Sequence, residues 1–257
     1  MYLEKILDQH RARSHADPRK LDDLISAARK SAPARGFAQR LRDDSRDKLA
    51  VIAEIKRRSP SKGDLNPDLQ PATLAAEYQQ GGASCISVLT DLDFFGGSTQ
   101  DLQAARNAVS LPVLRKDFTV SMNDICDAKI MNADCLLLIV AALDRRELAE
   151  FHELSVDIGL DVLVETHDAA ELDVALEIGA TMIGANQRDL KTFQVDSRRA
   201  EQLVKLMPSN VLRVAESGVK TRDDAQRLRD AGYQAILVGE SLVTSGDKIS
   251  SLRDLQV

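Results

Sequence analysis

From Leu49 onward, short aliphatic runs alternate with longer stretches of helical periodicity. The runs are LAVIAEIK (49–56), SCISVLT (84–90), LPVLRKDF (111–118), DCLLLIVAA (134–142), DVLVETH (161–167), TMIGANQ (181–187), VLRVAESG (211–218) and AILVGES (235–241). Most are nearly continuous in apolar residues, the pattern of strands covered on both faces. They start roughly 20–35 residues apart, which leaves room for one strand and one helix in each repeat. Asp144 to Ile158 and Arg222 to Ala231 carry the amphipathic spacing of the intervening helices. Gly81-Gly82, Gly159, Gly179 and Gly232 fall between a helix and the next run, where a C-cap glycine belongs. Eight such units in about 210 residues predict an α/β fold, a closed (β/α)8 TIM barrel spanning 48–257. The competing open, doubly wound sheet carries G-x-G-x-x-G after its first strand. Here that strand runs into KRRSPSKGD instead.

Residues 1–47 read differently. Tyr2 to His10 and Pro18 to Lys30 are helical, and Leu21, Leu24, Ile25 and Ala28 share one face of the second stretch. No strand signal precedes Leu49, so an N-terminal helical extension packed on the barrel is expected.

Of 257 residues, 44% are apolar but only 4% aromatic, and Trp is absent, so the core must be aliphatic. The net charge of −6 argues against nucleic acid as a partner and means that an anionic ligand must be held by locally concentrated positive charge. The longest wholly apolar run, Cys135 to Leu143, is far short of the roughly 18 residues of a membrane span. The N-terminus has no apolar core of a secretory leader. Cys85, Cys126 and Cys135 form no C-x-x-C pair, which fits a reducing, cytoplasmic setting. His10, His15, His152 and His167 make no metal-binding pattern, and no metal site is expected. The scarcity of aromatic residues argues for a monomer.

In a barrel of this kind, function gathers at the C-terminal ends of the strands. Polar residues interrupt the apolar runs at those ends: Glu54 and Lys56, Lys116, Glu165, Asn186, then Glu216 and Ser217. Strand parity puts Glu54 with Lys56, and Lys116 with Leu114 and Phe118. Two lysines and two or three carboxylates in one partly desolvated mouth shift one another's pKa values and divide acid and base roles. A lysine ammonium suits protonation of a carbonyl oxygen, although Schiff-base chemistry would also use a lysine.

VAESGV (214–219) and ILVGES (236–241) each place a small residue just before a helix. The backbone N–H groups of Gly218, Gly239 and Glu240 are then placed to cradle a phosphate, with Lys56 and the Ser217 hydroxyl beside them. The basic run Lys56 to Lys62 suggests a loop closing over an anionic substrate. The pair Phe94-Phe95 either packs on an aromatic ligand or fills the loop.

The segments AEIKRRSPSKG, SVLTDLDFFGGS, LPVLRKDF, LVETHD, GANQRDL, VAESGV and LVGES, in this order and spacing, resemble the indole-3-glycerol phosphate synthase family of tryptophan biosynthesis, over nearly all of residues 2–245. The resemblance implies a barrel with an extra helical segment. It also implies conversion of 1-(2-carboxyphenylamino)-1-deoxyribulose 5-phosphate to indole-3-glycerol phosphate, CO2 and water, without metal or organic cofactor. Lys116 matches the general acid at the ketone, and Glu165 the general base of the dehydration. Lys56 matches the lysine that meets both the substrate carboxylate and the phosphate. Glu54 and Asn186 match orienting groups, and Glu216 a further polar contact. Ser59 and Arg188 match contacts at the substrate carboxylate or rim. Ser217, Gly218, Gly239 and Glu240 match the phosphate cradle, the last through its backbone. Phe94, Phe118, Leu137, Leu190 and Leu237 match the apolar wall around the aromatic ring.

Gln187 stands where family members usually carry a second Asn, and the tail after Leu242 also departs from the pattern. A non-catalytic phosphate-binding descendant would have lost at least one of Lys56, Lys116 and Glu165. A sugar-phosphate isomerase barrel would not call for paired lysines.

Overall fold

The computed structural model of the chain describes residues 2–189 and 194–257. Eight parallel strands close a barrel: β1 (Ala50–Ile55), β2 (Cys85–Leu89), β3 (Val113–Lys116), β4 (Cys135–Ile139), β5 (Asp161–Thr166), β6 (Met182–Asn186), β7 (Leu212–Glu216) and β8 (Ala235–Val238). Neighbours in sequence pair throughout, and β8 returns to β1 with Ala50 opposite Ala235. The eight runs read from sequence are these eight strands. The run 134–142 outlasts its strand because Val140–Ala142 curls into a 3-10 turn.

Alternate strand residues separate two aliphatic cores. Ile52, Leu114, Leu137, Leu163, Val214 and Leu237 point into the barrel. Val51, Ile86, Leu136, Val164, Ile183 and Ile236 face the surrounding helices. These helices start where the sequence offers a side-chain cap. Ser98, Ser121, Asp144, Asp168 and Thr221 each accept a hydrogen bond from a first-turn amide. The helix capped by Thr221 ends at Gly232, and the helix Pro71–Gly81, which starts on a proline without a side-chain cap, ends at Gly82, with φ of 105° and 91° in the left-handed geometry their spacing predicted.

The extension has three helices, α1 (Tyr2–His15), α2 (Leu21–Lys30) and α3 (Phe37–Asp44). The third, not read from sequence, plugs the N-terminal end of the barrel. Phe37 and Leu41 are fully buried against Ala50, Cys85 and Leu212. Burying two such side chains contributes about 1.5–3 kcal/mol each. The helix start is tied to the sheet by Ala38 N–H, which donates to Asp161 Oδ2 at 3.0 Å. Leu24 and Ala28 of α2 join the outer core. α1 crosses the opposite end, where Leu3 and Ile6 face a large cavity. His10 holds it there at 2.9 Å from Asp91, and Arg11 donates to Glu147 at 2.7 Å.

Candidate active site

The cavity at the C-terminal mouth measures about 850 Å³. On its floor lie Leu137 and Leu237, both buried among inward-facing residues. Above them sits a centre of one lysine and two carboxylates. Lys116 Nζ, at the end of β3, donates to Glu165 Oε2 of β5 at 3.3 Å and lies 3.7 Å from Glu216 Oε2 of β7. Asn186 Nδ2, from β6, donates to Glu165 Oε1 at 3.0 Å. Both carboxylates are 1% exposed, so their charges are not screened by water.

Burial disfavours every charge here, and the neighbours decide which survive. Burial opposes the Lys116 ammonium, but Glu165, Glu216 and Glu54 outweigh it and hold the lysine above its ordinary range. Burial also opposes ionisation of Glu165. Lys116, His167 and the Asn186 amide more than offset this and keep its carboxyl below the usual carboxylate range. Glu216 goes the other way, raised by burial first and by the charge of Glu165 second. One carboxylate is therefore favoured in its ionised form and the other pushed toward its protonated form. Environments that push paired groups apart in this way are how one site divides acid and base work.

Glu216 fits because of a glycine. A Cβ on Gly184 of β6 would lie 2.1 Å from Glu216 Oε1. Gly184→Ala is thus expected to displace the carboxylate and to cost about 1–3 kcal/mol of stability, the usual toll of overpacking. Urea unfolding and the activity assay below would check both effects. Unchanged values would mean that Glu216 has another place to go.

A second centre lies beside the first. Lys56 Nζ donates to Glu54 Oε1 at 2.5 Å, against the backbone of Gly239. Ser217 and Gly218 follow β7 with φ of 66° and 77°, a left-handed pair that turns the chain sharply at the rim. Gln187, 1% exposed, pins this turn by donating from Nε2 to the Ser217 carbonyl at 2.6 Å. The departure noted at position 187 therefore braces the turn after β7. Gly239 leads into the short helix Glu240–Val243. Lys56, Ser217, Gly218, Gly239 and Glu240 all line the cavity together.

Ser59 and Arg188 also line the mouth, Ser59 from a two-stranded ribbon of Arg58–Ser59 with Gly63–Asp64. Phe118 is on the wall, but its aromatic neighbour there is Phe95, not Phe94. The two rings are 6.3 Å apart. Asp91 caps a helical turn at Leu92–Phe95, and successive residues on such a turn point about 100° apart, so only one ring faces the mouth. Leu190 lies outside the described residues.

The basic run also divides. Arg57 pairs with Asp101 at 3.0 Å and donates to the carbonyls of Pro67 and Leu69. Arg58 donates to the carbonyls of Leu92 and Asp93. Both arginines brace the loop, and Lys56 and Lys62 supply its charge to the cavity. Among the described residues, His10, Asp91 and Asp117 come close enough to suggest a metal site. Their oxygens are engaged, however: Asp91 on His10 and the Phe94 amide, Asp117 on Arg115, Thr90 and the Phe118 amide. The cluster is a tether for α1. No helix among the described residues is long and apolar enough to cross a membrane.

An eight-stranded parallel barrel with a buried lysine–carboxylate centre in its C-terminal mouth defines an enzyme of the (β/α)8 class. Comparisons with known proteins narrow this. The family described as indole-3-glycerol phosphate synthase matches residues 3–255. A protein of that name from Chlorobium luteolum is 47% identical over 246 residues, 95% of this chain and 94% of its own. Another, from Chloroherpeton thalassium, is 44% identical over 247 residues, 95% of each chain. The chain belongs to the indole-3-glycerol phosphate synthase family.

Among solved structures, thiamine phosphate pyrophosphorylase from Pyrococcus furiosus has a TM-score of 0.60 at 17% identity, covering 82% of this chain and 95% of that one. N-acetylmannosamine-6-phosphate 2-epimerase from Clostridium perfringens has a TM-score of 0.60 at 14% identity, covering 79% and 91%. At such identities the likeness concerns the fold alone.

Proposed function

We propose that this mouth performs the family's reaction with the roles divided as follows. The reaction is the decarboxylating ring closure and dehydration of 1-(2-carboxyphenylamino)-1-deoxyribulose 5-phosphate to indole-3-glycerol phosphate, a carbon–carbon lyase step of tryptophan biosynthesis. The ring carbon bearing the carboxylate attacks the ketone, and Lys116 protonates the ketone oxygen. CO2 leaves, and the electron pair it releases restores the aromatic ring. In the second half a proton is removed to Glu165 and the new hydroxyl departs as water. Two protons are delivered and one is taken, so each turnover draws one net proton from solvent as the carboxylate leaves as neutral CO2.

The observation that carries this reading is the Lys116 ammonium held 3.3 Å from an ionised Glu165 on the cavity floor. Donor and base then face the same substrate atoms. Lys56, oriented by Glu54 and beside Gly239, is placed to meet the substrate carboxylate and the phosphate. Ser217, Gly218, Gly239 and the Glu240 amide hold the phosphate, with Ser59 and Arg188 at the rim. Phe118, Leu137 and Leu237 enclose the aromatic ring, with Phe95 beside them. Three buried, unpaired cysteines fit a cytoplasmic setting, and the scarcity of aromatic residues fits a monomer.

The test is the appearance of indole fluorescence when purified protein is given the anilino-deoxyribulose phosphate. Saturable product formation is expected. A folded protein that gives no product would refute the assignment.

A further inference from the structure

His167 has no place in the roles above. It stands two residues beyond Glu165, on the same side of the chain, and its side chain is 11% exposed. Its surroundings are built to hold a cation. Glu171, in the first turn of the helix Ala169–Glu177, accepts the His167 backbone N–H at 2.7 Å and meets Nδ1 at 2.9 Å with the same oxygen. That contact fixes the ring. Nε2 then lies 3.3 Å from Glu165 Oε1, buried and with no hydrogen-bond partner of its own.

We propose that His167 is a positioning residue: held as a cation between Glu171 and Glu165, it keeps Glu165 ionised through the turnover. The proposal rests on the reading of Glu165 as base and Lys116 as donor, and it answers a difficulty in that reading. Glu165 owes its charge mainly to Lys116. Once Lys116 has given its proton to the ketone it is neutral, and a buried carboxylate left alone takes up a proton. Glu165 would then fail just when it must act. The cations acting on Glu165 are Lys116 and His167, with Asn186 as an uncharged donor, while Glu216 on the far side of Lys116 opposes its charge. Of these two cations His167 is the one that does not react.

Burial opposes the charge on His167, but Glu165 and Glu171 outweigh burial and push the imidazole up to about 10. It is therefore cationic throughout the neutral range.

Two measurements test this. The first is independent of turnover: the His167 imidazole is followed by NMR in the free protein. It is expected to stay protonated through pH 8 and to titrate at least one unit lower in Glu171→Gln. Titration near 6.5 in the parent protein overturns the proposal. The second is the pH profile of the single-turnover rate in His167→Asn. Glu165 works only above its pKa, and removing a neighbouring cation raises that pKa. The acidic limb should thus move up by at least one pH unit, so that the loss relative to the parent protein is about tenfold on that limb and disappears on the plateau at pH 9, with little change in KM. An equal loss at every pH, or none, would mean that His167 only fills space. Glu165→Gln separates the two readings. If it turns over normally, the base assignment fails, while the NMR titration still decides whether His167 is held as a cation.

Discussion

Lys116→Ala is expected to lower kcat by about 10³-fold or more while the substrate still binds. Loss of a positioned general acid alone costs about 10²–10⁴-fold. Here the loss reaches further. Lys116 is the largest favourable influence on Glu165, and it also moderates the upward shift of Glu216. Without it, Glu165, 1% exposed, loses its main counter-charge and takes up a proton beside a Glu216 already pushed toward its protonated form. Donor and base are then lost together. Binding survives because the phosphate turn and the Lys56–Glu54 pair do not rest on Lys116. Product fluorescence gives kcat, and equilibrium titration with substrate gives the dissociation constant. Turnover near the parent rate would remove Lys116 from the mechanism. Lost binding with an intact chemical step would make it a substrate clamp instead.

The Lys116 centre was legible before any coordinates because barrel strands obey a period of two. Once LPVLRKDF, DVLVETH and VLRVAESG are strands, parity alone sends Lys116, Glu165 and Glu216 inward. Parity would also have placed His167 beside Glu165. A single histidine in a strand-end run carries no spacing signal of its own, so only the strand register brings it out. Other features depend on contacts no local pattern carries. α3 offers only Phe37 and Leu41 at a helical spacing and begins at Gly36, a weak start signal. Arg57 and Arg58 look like substrate cations until Asp101 and the carbonyls of Leu92 and Asp93 arrive from elsewhere in the chain. Phe94 and Phe95 cannot be told apart until the turn that carries them is known.

Gly239→Ala is the second large effect expected, and it tests the other half of the site. The backbone at Gly239 has φ −119°, outside the left-handed region, so a methyl group there tests space. A Cβ at this position would lie 2.3 Å from Glu54 Oε1 and 3.1 Å from Lys56 Nζ. Both belong to a pair closed at 2.5 Å, and Glu54 is 4% exposed, with barrel walls behind it. The pair has to move, and Lys56 moves with it. Displacing a positioning group by about 1 Å costs roughly 10²-fold. The expected result is a KM raised by about that factor, with inorganic phosphate losing its power to compete. kcat should fall less, because Glu165 and Glu216, the larger influences on Lys116, are not among the atoms nearest the added Cβ. Gly246→Ala is the control: nothing lies within 4 Å of its Cβ, and the change should be silent. If Gly239→Ala matches the control, the phosphate is held somewhere other than at β8. If kcat collapses while KM holds, the Lys56–Glu54 pair belongs to the chemical step, and Lys56 becomes the acid that releases water.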